Sequence, residues 1–122
     1  MLTISGLKNY YFLPNFYDMR CKAPRVFEII RRKYHRDPTN GDVYIFMSKN
    51  RKRVRMLCYE KHAFHLYEKT FKKEYRFLRL VFEGDVETYK IDWKSLVALL
   101  ETPAISTLRI NQEESDKLAL IN

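Results

Sequence analysis

A run of basic residues near the middle of the chain is the part of the sequence best suited to binding a charged partner. Five cations fall within seven residues, with one asparagine among them: Lys49, Asn50, Arg51, Lys52, Arg53 and Arg55. Arginine guanidinium groups bind phosphates through paired hydrogen bonds and can also contact guanine edges. Because no acid interrupts the run, we expect contact with a polyanion rather than a solvated turn that only aids solubility.

The charge of the whole chain is also unevenly distributed, with the basic residues concentrated before residue 80. The net charge is +8, but residues 1–79 hold 19 basic and 7 acidic residues, whereas residues 80–122 hold 4 basic and 8 acidic residues. A strongly basic region of this size is typical of nucleic-acid-binding domains, although the charge alone does not distinguish DNA from RNA.

Signatures of catalysis are missing from the sequence. It contains no Gly-rich phosphate loop, no Gly-x-Ser-x-Gly elbow and no His-Glu-x-x-His motif. The pair of residues that most nearly resembles a metal site is His62 and His65, but their spacing places them on opposite faces of a strand. Zinc also needs at least three protein ligands. Cys21 and Cys58 are too far apart for a zinc knuckle and are expected to be free thiols. We therefore expect a protein that is not an enzyme and has no metal or cofactor.

Four consecutive strands are predicted around the basic run: Val43–Ser48, Arg53–Tyr59, Phe64–Phe71 and Tyr75–Phe82. In the second of them, Val54, Met56 and Cys58 alternate onto one face, and Arg55 lies with Leu57 on the other, where it could be partly buried. Short links favour an antiparallel meander, and the basic turn between the first two strands is expected to protrude into solvent.

Two amphipathic helices flank these strands. The first is predicted from Pro24 to about His35, and the second opens at Asp92 and ends before Pro103. The sequence thus predicts one α+β domain over residues 1–103, with a meander of four to five strands. Residues 104–122 are predicted to be a polar acidic tail, partly disordered or a frayed helix. No transmembrane span or signal peptide is evident, which indicates a soluble, cytoplasmic protein.

The order of these motifs resembles a known family. The motifs are Asp18-Met19-Arg20, Arg36-Asp37-Pro38, Gly41 to Phe46, the Asn50-Arg51 turn, Val54 to Tyr59, and Phe64 to Tyr67 followed by Lys69. Over about Tyr10 to Leu100 they resemble the TnpB accessory proteins encoded by insertion sequence 66 elements. The resemblance implies a non-catalytic role in DNA transposition, beside a separate and larger transposase that carries the catalytic carboxylates.

The chain departs from that family at one turn. The family tends to have Trp-Asp-Gly and then Gly-Phe, where this chain has Tyr59-Glu60-Lys61-His62-Ala63-Phe64. Since Ala63 cannot adopt a positive φ as easily as glycine, we expect this turn to differ in shape. Of the basic positions that follow in the family, Lys69 keeps its charge.

The resulting hypothesis is an accessory transposition protein that contacts DNA, with the element's transposase as a second partner. The predicted DNA-contacting residues are Arg20, Arg31, Arg32, Arg36, Lys49, Asn50, Arg51, Lys52, Arg53, Arg55 and Lys69. A module that binds the transposase without touching DNA, and an RNA-binding protein, remain alternatives because a basic hairpin fits both. The sequence does not determine the oligomeric state.

Overall fold

The computed structural model describes residues 8–72, 74–103, 107–110 and 118–121. Its elements follow in the order β1 (Tyr10–Phe12), α1 (Ala23–Lys33), a 3-10 turn (Pro38–Asn40), β2 (Val43–Met47), β3 (Arg53–Glu60), β4 (Ala63–Thr70), β5 (Arg79–Phe82), β6 (Tyr89–Ile91), α2 (Trp93–Glu101), β7 (Thr107–Ile110) and β8 (Leu118–Ile121). This arrangement of helices with a mostly antiparallel sheet confirms the predicted α+β class.

The main sheet has the strand order β4-β3-β2-β1-β6 within the described residues. Strands β2, β3 and β4 form an antiparallel meander as predicted, and β6 pairs antiparallel with β1. Strands β1 and β2, in contrast, are parallel and are connected through α1, which the sequence analysis did not foresee. A parallel pair needs a crossover, so α1 lies across one face of the sheet.

Helix α1 is held on the sheet by its apolar stripe. Pro24 lies in the first turn, where its missing N–H group costs nothing. Val26 and Ile30 are fully buried in a cluster that includes Phe46 and Leu57 of the sheet. The spacing of these apolar residues thus predicted both the helix and the face that it buries.

Helix α2 covers the opposite face of the same sheet. The side chain of Asp92 accepts a hydrogen bond from the backbone N–H of Ser95 at 2.9 Å, which is the predicted N-cap. Leu96, Leu99 and Leu100 are buried in the core cluster on this face. Because a helix packs on each side, every residue of the central strand β2 is buried, whereas β4 at the edge is only partly buried.

Strand β3 shows the predicted alternation. Val54, Met56 and Cys58 are all buried and belong to the core cluster on the α2 side, whereas Leu57 belongs to the cluster on the α1 side. Arg55 therefore points toward the α1 side of the sheet, as the alternation of side chains requires.

The predicted fourth strand differs from the observed structure. Strand β5 begins at Arg79 rather than Tyr75, and it pairs in parallel with β7 instead of continuing the meander from β4. Strand β7 in turn pairs antiparallel with β8, so these two strands lie in the segment predicted as a polar tail. Residues 104–106, 111–117 and 122 of that tail lie outside the described residues, and the domain boundary at residue 103 remains a prediction.

Candidate nucleic-acid interface

The turn between β2 and β3 is closed by its own polar groups. The backbone N–H of Arg51 donates to the carbonyl of Ser48 at 3.0 Å. The Oδ1 atom of Asn50 accepts hydrogen bonds from the Ser48 hydroxyl at 2.7 Å and from the N–H of Lys52 at 3.0 Å. Asn50 was predicted to contact DNA, but its carbonyl oxygen is used to hold the turn in shape.

The turn is also docked against the segment that precedes β5. The carbonyl of Arg51 accepts a hydrogen bond from the N–H of Phe77 at 2.7 Å, and the carbonyl of Lys52 accepts one from the N–H of Phe71 at 2.9 Å. Arg51 has a left-handed φ of 59°, which is unfavourable for a residue with a side chain. The turn thus protrudes less than predicted, because the N–H groups of Phe71 and Phe77 bind two backbone carbonyls that were assigned to solvent, whereas Lys49 and Asn50 are exposed as expected.

Two further cations lie beside this turn. The Nζ atom of Lys49 is 5.3 Å from the centre of the Tyr17 ring, and both residues line a shallow cleft together with Arg20. The Arg20 side chain is 92% exposed, and its Nε atom is 3.3 Å from a carboxylate oxygen of Asp18. An exposed ion pair of this kind contributes little to stability and leaves the guanidinium group accessible.

Two arginines that sequence reasoning missed complete the cluster. Arg76 and Arg79 are exposed, and their positive charges, after burial itself, lower the pKa of Arg51. Within the described residues none of these three arginines forms an ion pair with a carboxylate. We call the resulting cationic surface the basic end; it comprises Arg20, Lys49, Arg51, Lys52, Arg53, Arg76 and Arg79.

Arg55 has a structural role inside the protein rather than a place on this surface. Its side chain is only 12% exposed, and its Nη1 atom donates to the carbonyls of Met19 at 3.0 Å and Cys21 at 2.6 Å. Its Nε atom lies 3.2 Å from a carboxylate oxygen of Glu68 on the neighbouring strand. Arg55 therefore fixes the loop that carries Arg20, and it is not available to bind a phosphate.

Lys69 is likewise engaged within the protein. Its Nζ atom donates to the carbonyl of Leu100 at 2.6 Å and lies 3.7 Å from a carboxylate oxygen of Glu101. These partners form the last turn of α2, where a cation binds free carbonyl groups and stabilises the negative end of the helix dipole. The charge of Lys69 thus secures α2 to β4.

The remaining predicted cations lie at the opposite end of α1 from Arg20. We call Arg31, Arg32, Lys33 and Arg36 the helix end. An 11-residue helix is roughly 16 Å long, so these cations do not join the basic end. Arg31 and Arg32 lie 3.9 and 3.1 Å from the carboxylate of Glu28, and the Arg36 guanidinium is 4.2 Å from the centre of the Tyr11 ring.

Comparison with protein-family models shows to which family the chain belongs. Residues 8–109 match the model described as IS66 Orf2 like protein, TnpB_IS66. The chain belongs to this family. The match spans β1 to β6, both helices and every residue predicted to contact DNA. Searches of the curated proteins and of the solved structures gave no match.

Membership of the IS66 Orf2-like family implies an accessory role associated with transposition. Among the described residues, no group of three or more His, Cys, Asp or Glu side chains is arranged to hold a metal ion. In the same part of the chain, no helix is long and apolar enough to cross a membrane. The Cys58 thiol is fully buried, which raises its pKa and makes it a poor nucleophile.

The turn at which this IS66 Orf2-like protein departs from the family pattern has an identifiable shape. Lys61 and His62 connect β3 to β4 with φ values of 49° and 65°, whereas Ala63 is already the first residue of β4. A two-residue turn with both φ values positive is the geometry that asparagine and glycine favour in hairpins. In this chain the turn thus contains two strained residues, Lys61 and His62, and its difference in shape from the turn of the family stays a prediction.

Proposed function

We propose that this IS66 Orf2-like protein is a non-catalytic accessory factor in DNA transposition that contacts DNA through the basic end. The catalytic steps belong to a separate transposase encoded by the same element, with which the protein acts. The observation that carries the proposal is the concentration of seven cations around a docked turn, three of which, Arg51, Arg76 and Arg79, have no carboxylate partner among the described residues.

The electrostatics of the basic end support binding of phosphates. Arg76 and Arg79 both repel the guanidinium group of Arg51, and an anion bound between them would relieve this repulsion. Such a cluster raises the local concentration of a polyanion and releases counterions when phosphates replace them. The helix end has only four cations, and Glu28 neutralises part of their charge.

The rigidity of the turn supports the same function. Hydrogen bonds from Phe71 and Phe77 fix the backbone of Arg51 and Lys52, and the side chain of Asn50 closes the turn. A preorganised surface loses less conformational entropy when it binds, so more of the electrostatic attraction appears as affinity. A basic turn that served only solubility would not need this support.

A salt titration of binding tests the proposal. We expect the protein to bind duplex DNA with an affinity that falls steeply with salt, and the triple variant Arg20→Ala, Lys49→Ala, Arg53→Ala to lower that salt slope by roughly two to three. All three side chains are exposed, so the free energy of unfolding should change by less than about 1 kcal/mol. The probes are duplex from the ends of the element, unrelated duplex and single-stranded RNA.

The helix end provides a control with the same loss of charge. The variant Arg31→Ala, Arg32→Ala, Lys33→Ala also removes three exposed cations, and we expect its salt slope to stay near that of the wild type. A reduced slope in the control alone would move the contact surface to the helix end. Equal slopes in all three proteins would place the DNA contact on another surface, and absence of duplex binding would favour a module that binds the transposase without DNA contact. Tighter binding of RNA would favour an RNA-binding protein.

A further inference from the structure

A cleft lies within the basic end and combines flat aromatic walls with positive charge. It has a volume of about 300 Å³ and opens between β1, the β2–β3 turn and β5. Its aromatic walls include Phe12, Tyr17 and Phe82, and its cations are Lys49, Arg51 and Arg79. No carboxylate is among the described residues that line it.

The aromatic side of the cleft is both accessible and fixed. Tyr17 is 41% exposed, although it has a large apolar ring. Phe82 stacks on Phe12 with 5.2 Å between ring centres and on Tyr89 with 4.2 Å, so this wall is held in place by packing. An exposed aromatic ring beside a rigid aromatic wall is a suitable surface for stacking a planar apolar group.

The cationic side supplies the complementary chemistry. Arg51 is held at the rim by its left-handed backbone and by the hydrogen bond from its Nη1 atom to the carbonyl of Phe77 at 3.4 Å. Arg79 extends from β5 on the other side, and Lys49 lies over the Tyr17 ring. Three cations around one opening, with no carboxylate among the described residues that line it, fit an anion that is attached to a flat group.

We propose that this cleft binds a single unstacked nucleotide of DNA, with its base stacked on the exposed ring of Tyr17, next to Phe82, and its phosphate beside Arg51 and Arg79. The proposal rests on the proposed function, since it takes DNA as the partner, and it adds that the DNA is recognised where a base has left the stack. A volume of about 300 Å³ is at the lower limit of small-molecule sites, which suits one nucleotide rather than a longer segment. A base paired within a duplex cannot present its face to such a wall.

Substitution of the stacking residue tests this inference. We expect Tyr17→Leu to weaken binding of a short single-stranded DNA about tenfold, because the loss of one base–aromatic stack has an effect of that order. Binding of a fully paired duplex, measured by fluorescence anisotropy at the same salt concentration, should change by less than about twofold, since phosphate contacts dominate it. The matched control is Tyr75→Leu, because Tyr75 is 56% exposed and is not among the residues that line the cleft.

An abasic strand separates stacking from charge. If the base occupies the cleft, single strands that lack bases will bind wild-type protein and Tyr17→Leu equally, while Arg79→Ala will weaken both abasic and normal strands. Thermal unfolding of each variant checks that the fold is intact. Equal loss in Tyr17→Leu and Tyr75→Leu, or a Tyr17→Leu variant that binds normal single strands as tightly as the wild type, would overturn the inference.

Failure of this inference is distinguishable from failure of the proposed function. A normal salt slope with no dependence on Tyr17 would retain the basic end as a duplex-contacting surface and exclude the nucleotide cleft. Single-stranded RNA of the same sequence is the final arm. If RNA bound more tightly than DNA with the same dependence on Tyr17, the assignment of the cleft to DNA would be wrong.

Discussion

The two ends of the main sheet differ in how their cations are used. At the basic end, three arginines lie close together without a carboxylate partner among the described residues. At the helix end, Glu28 lies within 4 Å of Arg31 and Arg32, and Arg36 lies over the Tyr11 ring. The comparison teaches that the number of cations does not identify a binding surface; what matters is whether the protein already provides their partners.

The turns at these two ends both contain left-handed residues, so strain alone does not identify a binding surface. The β2–β3 turn has one left-handed residue, Arg51, and its backbone is held by hydrogen bonds from outside the hairpin. The β3–β4 turn, at the other end of β3, has two left-handed residues, Lys61 and His62. Strain at the first turn coincides with a surface for which we propose a function, whereas strain at the second has no such counterpart.

The largest effect is expected from the arginine that supports the basic end from within. Replacing Arg55 by methionine keeps the apolar stem but removes the donor to the Met19 and Cys21 carbonyls and the partner of Glu68. Loss of a buried charged donor should lower the free energy of unfolding by about 3 kcal/mol. Urea unfolding measures this change, and Arg53→Met is the matched control.

The control lies two residues earlier on the same face of β3, but its side chain is exposed. We expect Arg53→Met to change the free energy of unfolding by less than about 0.5 kcal/mol. An Arg55→Met protein as stable as Arg53→Met would show that Arg55 is not a structural residue. It would then return to the set of candidate DNA contacts.

Substitutions in the strained turn at the opposite end of β3 are expected to stabilise the protein. The double variant Lys61→Asn, His62→Gly gives both left-handed positions residues that tolerate a positive φ. We expect the free energy of unfolding to rise by about 1 kcal/mol, with no change in DNA affinity because this turn lies away from the basic end. A loss of DNA affinity in this variant would contradict the division of the molecule into one binding end and one structural end.

Local sequence patterns predicted much of this structure. The apolar stripe with Val26 and Ile30 predicted α1 and its buried face. The alternation along β3 placed Arg55 on the same face as Leu57, where partial burial was expected to be possible, although the residue was still assigned to DNA. The Asn50-Arg51 turn was also found in the expected place. Each of these features depends on residues that are neighbours in sequence, where spacing and conformational preference are decisive.

The remaining features depend on contacts between distant residues. Arg76 joins the basic end because Phe77 binds the carbonyl of Arg51, 26 residues away, and no periodicity encodes that hydrogen bond. The parallel pairing of β1 with β2 and the pairing of β5 with β7 likewise depend on tertiary contacts. The sequence predicts Lys69 to be a basic surface residue, whereas in the structure its side chain donates a hydrogen bond to the carbonyl of Leu100. Sequence alone therefore overestimated the cations available to DNA at some positions and missed them at others.

The smallest effect concerns the acid that follows the helix end. The Asp37 carboxylate accepts hydrogen bonds from the hydroxyl of Thr39 at 2.6 Å and from its N–H at 3.0 Å, and these bonds, together with the charge of Arg31, hold its pKa below the ordinary value of 3.8. Because the pKa is lower in the folded protein, the stability that Asp37 contributes is present above pH 3.8 and is lost as the pH falls through the lowered pKa. Urea unfolding between about pH 6 and pH 2.5 should thus show a smaller loss of stability for Asp37→Asn than for the wild type. Identical pH profiles would mean that the Asp37 carboxylate contributes nothing to stability beside the helix end, and the comparison between the two ends would then depend on Glu28 and on the contact of Arg36 with the Tyr11 ring.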